Sequence, residues 1–147
     1  MIDPHSQTLL QDILRRESRS ILLYVDEAFP WTTATEAKSL TTLRQIIAAE
    51  RQAVTALGQF LVRQRVPLPY MPPFPSSFTT INFLAFDYVL PRLLDSERQS
   101  IAALERDLAA LKNPAAHAEV EKLLTLKRRH LPQLEALVST QPLANAI

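Results

Sequence analysis

Pro67-Leu68-Pro69-Tyr70-Met71-Pro72-Pro73-Phe74-Pro75 lies near the middle of the chain and decides how the remainder is read. Five of its nine residues are proline. Each lacks an amide donor and clashes with the carbonyl one turn back, so the stretch cannot be helix interior. Such a run favours the extended polyproline backbone, which rises about 3.1 Å per residue and gives a reach of roughly 28 Å. That is close to the length of a helix of about 20 residues. A connector of this reach can carry the chain from one end of a helical bundle to the other.

The sequence on either side is helical in character. Gly58 is the single glycine, while Ala, Leu, Arg and Glu abound. In a chain of 147 residues, 47 % apolar residues support one domain with a real core rather than disorder. The first helix is expected over about 4–28, opened by the Asp3 carboxylate and Pro4 and closed near Phe29-Pro30. Its apolar stripe is Leu10, Leu14, Ile21 and Tyr24. The second, over 34–65, starts at a capping box, Thr33 with Glu36, and carries Leu40, Leu43, Ile47, Val54, Leu57 and Leu61. After a crossover at 66–76 comes a third helix over 77–111, capped by Ser76 or Ser77. It carries Leu90, Leu94, Ile101, Leu104, Leu108 and Leu111, with Pro91 expected to kink it. Asn113-Pro114 opens a fourth helix over 114–138, with Val120, Leu123, Leu134 and Leu137 on its stripe and Pro132 late in the pattern. Residues 139–147 read as a C-terminal tail. The expected fold is all-α: one domain over 1–138, two antiparallel helical hairpins joined by the Pro-rich crossover. A crossover makes the second and third helices parallel. An up-down arrangement with a floppy proline loop is the competing layout.

Several function classes fall away. A net charge of +1 argues against a dedicated nucleic-acid binder. With no cysteine there are no disulfides or thiolate metal sites, which fits a cytoplasmic protein. Met1 to Gln11 has no basic n-region or apolar h-region, so no signal peptide is expected. No apolar run approaches the roughly 20 residues of a membrane span. Phosphate loops, nucleophile elbows and zinc-spaced clusters are missing. Pro69 to Pro72 matches a Pro-x-x-Pro ligand pattern, but a crossover accounts for it. Lys127-Arg128-Arg129, flanked by Glu119, Glu121 and Glu135, reads as a solvated face, and Gly58 as a point of close helix approach.

The two halves look like copies of one hairpin. Glu17-Ser18-Arg19-Ser20-Ile21 parallels Glu97-Arg98-Gln99-Ser100-Ile101. Ile47 to Val54 parallels Leu124 to Leu131, which sets Glu50 against Lys127 and Ala53 against His130. Polar groups also stand on every apolar stripe. Glu17 lies between Leu14 and Ile21, Glu50 between Ile47 and Val54, Glu97 between Leu94 and Ile101, and Lys127 with His130 between Leu123 and Leu134. Buried charges need partners, so these groups are expected to meet one another, or a cation, in a single polar layer. The glutamates could also snorkel to the surface, and Lys127 could point outward.

A glutamate on two helices with Glu-x-x-His on the other two is the ligand set of di-iron carboxylate bundles. On these residues the chain resembles the ferritin-like superfamily, its rubrerythrin-like bacterial members especially, over about 5–138. The resemblance implies a ferritin-like four-helix bundle with residual ligand positions at Glu17, Glu50, Glu97 and His130. Asp87 is the runner-up to Glu97. Two positions depart from the pattern: Ala53 replaces a histidine, and Lys127 replaces a glutamate. An ammonium at 127 offsets carboxylate charge in place of a metal, aided by a protonated His130. The implied function is a non-catalytic structural or interaction protein with a degenerate di-iron site and no cofactor. It would be a homodimer, supported by exposed Phe78, Phe83 and Phe86. The alternative is a metal-binding oxidoreductase or iron-handling protein that holds iron or manganese in an altered site.

Overall fold

A computed structural model describes residues 2–28 and 30–140. The described residues are all-α, with five α-helices among them: α1 Pro4–Ser18, α2 Ile21–Ala28, α3 Ala37–Arg63, α4 Phe86–Ala110 and α5 Pro114–Ser139. Short 3₁₀ stretches occupy Ala34–Glu36 and Ser76–Ile81. Among the described residues there is no strand, and one isolated bridge joins Trp31 to Ala85. Phe29 and 141–147 of the expected tail lie outside the described residues.

The helix ends follow local chemistry. The Asp3 carboxylate accepts from the Ser6 amide ahead of Pro4, and the Asn113 side chain accepts from the Ala116 amide ahead of Pro114. The Glu36 carboxylate accepts from the Thr33 amide, although the turn it closes is 3₁₀ before α3 begins. Arg65, at φ 58°, ends α3 in the left-handed conformation. The Arg65 amide reaches the Val62 carbonyl and the Val66 amide the Leu61 carbonyl, which is the Schellman pattern without its usual glycine.

Two expectations about the helix bounds are corrected. The first helix, expected over 4–28, is broken at Arg19 and Ser20. The Ser20 hydroxyl accepts from the Leu23 amide and restarts the chain as α2. The third helix starts nine residues later than 77, at Phe86, and neither Ser76 nor Ser77 caps it. Backbone bonds from Phe83 to Ala28, Trp31 to Leu84 and Phe86 to Trp31 hold 83–86 against the end of α2, and Phe83 takes φ 60° there. Those amides are spent across the loop rather than along a helix. Pro91 and Pro132 both lie inside α-helices that continue past them. The phenylalanine face expected to support a dimer is not a face: Phe86 is fully buried, Phe78 packs on Tyr24, and Phe83 alone of the three is exposed.

The proline stretch is tied down. Gln11 donates to the Pro67 carbonyl, Arg15 to that of Tyr70 and Arg19 to that of Pro72. These three donors are spaced four residues apart, so they lie along one face of the helix that the connector follows. Farther on, Phe74 meets the Tyr24 ring edge-on at 5.3 Å. The connector therefore runs beside α1 and α2 in chain order and leaves no floppy loop.

Apolar side chains form two cores. One gathers Leu10, Leu14, Leu57, Leu61, Leu104 and Val120. The other gathers Leu22, Ile47, Phe86, Leu90, Leu93 and Leu134. Chain direction follows from which core each helix visits first. The α1–α2 pair and α5 run from the first core to the second, while α3 and α4 both run from the second to the first. Gly58 is not a point of tight approach, because a Cβ there would sit 3.9 Å from the Leu14 methyls, an ordinary contact. Gly58→Ala should thus stabilise the protein by about 1 kcal/mol through helix propensity. A urea midpoint that falls in this variant would contradict that reading of the packing.

Candidate functional site

Between the two cores lies one layer of charge. Glu17, Glu50, Glu97, Lys127 and His130 are all buried, none more than 6 % exposed. The structure brings all five together. Lys127 Nζ donates to Glu50 Oε1 at 2.7 Å and Glu97 Oε1 at 2.9 Å, and lies 3.2 Å from Glu17 Oε1. His130 Nδ1 lies 2.7 Å from Glu50 Oε2. Lys127 faces the interior and is not part of a solvated basic run; its neighbour Arg128 is the exposed one and pairs with Glu105.

Each helix supplies its member from the point where its stripe passes between cores. Glu17 stands near the C-terminal end of α1, where the helix dipole disfavours a carboxylate. Two further contacts hold it, and a third holds one of its partners. Arg16 Nε donates at 2.8 Å, Ser100 Oγ donates at 2.6 Å, and Arg16 in turn pairs with Asp107 at 2.9 Å. These three residues were missed from sequence. Ser100 had a visible signal, the repeated Glu-x-x-Ser-Ile, whereas Arg16 and Asp107 had none. Asp87 lies in the first turn of α4, outside the layer. Ten residues separate it from Glu97, about 15 Å along a helix.

Burial alone would strip Lys127 of its proton, but Glu17, Glu50 and Glu97 outweigh it and hold the ammonium above its ordinary range. Burial likewise pushes Glu17 up, yet Lys127, Ser100 and Arg16 bring it net below the usual carboxylate range. Glu97 goes the other way. Burial and the neighbouring Glu50 carboxylate exceed the pull of Lys127 and push it up to about 8. Its Oε2 is buried without a hydrogen-bond partner among the described residues. Burial, Lys127 and Arg129 outweigh Glu97 at His130 and lower it. The imidazole is then neutral at pH 7 and donates its Nδ1 hydrogen to Glu50. The second cation of the layer is therefore Arg16, not the protonated His130 expected from sequence.

Glu50, Glu97 and His130 offer three ligand atoms within 4.8 Å of one another. Lys127 Nζ already holds two of those carboxylates, and Ala53, beside Glu50 on α3, packs into the first core. A six-ligand, two-metal site does not fit this residue set. No family model, curated protein or solved structure matches the chain.

Two outcomes follow. Lys127→Met leaves buried carboxylates without their cation and should cost about 3–5 kcal/mol at pH 7, read by urea denaturation. A loss under 1 kcal/mol would show that the layer does not need the ammonium. Glu97 has a folded pKa above its unfolded value, so it favours the fold most below about 4.5 and progressively less as pH rises to about 8. His130 and Glu17, both lowered, act in the opposite sense, so the informative quantity is the difference between wild type and Glu97→Gln. The stability of wild type minus that of the variant should fall from pH 5 to pH 8. A flat difference would place no proton on Glu97.

Proposed function

We propose that the chain is a degenerate ferritin-like four-helix bundle that works without metal or catalysis, as a structural or interaction protein. In this reading α1 and α2 together form one long helix, and α3, α4 and α5 are the others. The single observation that carries the reading is the Lys127 ammonium, held by carboxylates from three other helices. It occupies the place where a cation would have to sit and supplies the charge that a cation would supply. A non-catalytic role is consistent with the buried His130 imidazole, whose Nδ1 hydrogen is spent on Glu50.

A second reading keeps a specific observation behind it. The Glu50, Glu97 and His130 trio is compact enough to bind one divalent ion if Lys127 swings away. That would make the protein a metal handler with an altered site.

Melting curves separate the two. Ferrous or manganous ions added to wild type should leave its melting temperature unmoved within about 1 °C, because binding linkage then contributes nothing. The double variant A53H/K127E restores both Glu-x-x-His pairs and should be destabilised without metal. It should gain several degrees with metal, as expected for an ion present at about 100 times its Kd. A wild-type gain of several degrees would favour the metal-handling reading.

A further inference from the structure

The break between α1 and α2 opens a cavity of about 590 Å³ against α4. That lies within the range of small-molecule sites. Its wall carries four arginines: Arg16, Arg19, Arg92 and Arg106. In a chain with nearly equal numbers of acidic and basic residues, this is a local excess of positive charge.

Most of that charge is uncommitted. Arg16 is bound to Glu17 and Asp107. Arg19 uses its hydrogens on the carbonyls of Ser18 and Pro72, and Arg92 uses one on the Thr80 hydroxyl, neither of them acidic. Among the described residues, Arg19, Arg92 and Arg106 make no ion pair. Two carboxylates share the wall. Glu17 is 2 % exposed and already held by Lys127, Arg16 and Ser100, so it presents little charge to an occupant. Asp95 accepts from Gln99 and lies on the exposed rim.

The remaining wall says more about the occupant. Ile21 and Phe78 are apolar and half-buried, so part of a ligand can shed water there. Ile21 is also the first residue of α2, whose first turn contains no acidic residue. The positive end of that helix adds to the arginine field at the same wall. A guanidinium fork matches the paired oxygens of a phosphate or a carboxylate better than it matches a spherical anion.

We propose that this cavity binds a small organic oxyanion, with its phosphate or carboxylate on Arg19 and Arg92 and its apolar body against Ile21 and Phe78; Arg106, about 21 Å farther along α4, adds only to the field. The site stands apart from the reading of the buried layer and survives whether or not Lys127 yields to a metal. It gives the helix break at Arg19 and Ser20 a use, since a continuous helix would have no positive end at this wall.

Calorimetric titration of the full chain tests it with phenyl phosphate, benzoate and inorganic phosphate as probes. At least one organic probe should bind saturably with a Kd of about 1 mM or tighter, and more tightly than inorganic phosphate by about tenfold. Phenyl phosphate winning assigns a phosphate ester as the natural class, benzoate winning a carboxylate. Arg92 and Arg106 are exposed, so R92Q and R106Q leave the core untouched. R92Q should weaken the better probe by about tenfold, and R106Q, which removes only a distant charge, by less than about threefold. No saturable binding of either organic probe would overturn the proposal. So would an affinity unchanged in the R92Q/R106Q double variant, or inorganic phosphate binding as tightly as phenyl phosphate.

Discussion

One ammonium, bonded in the dry interior to carboxylates from three other helices, constrains everything around it. Lys127 reaches Glu17 on α1, Glu50 on α3 and Glu97 on α4 from its own place on α5. A buried ion pair gains little over apolar packing, but a buried ion left alone is costly. The layer thus acts more on geometry than on net stability. Sliding any one helix by a residue would turn its charged member about 100° away and leave the others unpaired. The apolar stripe would turn away with it; a slip of about seven residues would return the stripe to the cores but leave the charged member about 10 Å from its partners, so the layer is what fixes each helix's height. Lys127 and Arg16 supply the positive charge of the layer, and Arg16 divides its own between Glu17 and Asp107.

The same demand for partners explains the outer parts of the chain. A proline-rich connector has carbonyls to satisfy and few amides with which to form structure of its own. Gln11, Arg15 and Arg19 answer those carbonyls from one face of α1 and just beyond it, and so lay the connector along the helix. Arg19 also stacks on the Phe74 ring at 5.0 Å. It performs these tasks at the point where the helix stops, next to the serine that starts the next one. The break and the connector are one arrangement, and the cavity beside it is lined by the same arginine.

Much of this was legible in the residues, and what was not has a physical cause. The stripes located every long helix, and the polar residues set into them located the layer, because a buried charge must find a partner wherever it stands. The proline run foretold the connector's reach. The break at Ser20 was invisible, since Glu-x-x-Ser-Ile also occurs at Glu97, where α4 runs through it unbroken. The same motif has two outcomes. Ser20 turns its hydroxyl to an amide of its own chain, and Ser100 turns its hydroxyl to Glu17 across the interface. The late start of α4 was likewise hidden. It depends on backbone bonds between 28–31 and 83–86, which no local propensity encodes. Arg16 carried no signal, because Asp107, which helps to hold it, is a neighbour in space and not in sequence.

Taken as copies of one hairpin, the two halves relate the charges of the layer in one way. Glu50 and Lys127 stand at matching positions of the two halves, and they touch at 2.7 Å. Matching positions of a doubled hairpin that meet in the middle lie beside its pseudo-symmetry axis. Identical glutamates there would face each other as like charges and would require an outside cation. Changing one of the two to lysine turns that repulsion into attraction and makes the outside cation redundant. The partner positions fit the same logic. Once Lys127 neutralises Glu50, a histidine is needed on one side only, to occupy the second carboxylate oxygen. His130 does that, while its counterpart Ala53 fills apolar space instead. The asymmetry of the layer therefore follows from one sign change, with the remaining differences between the halves accommodating it.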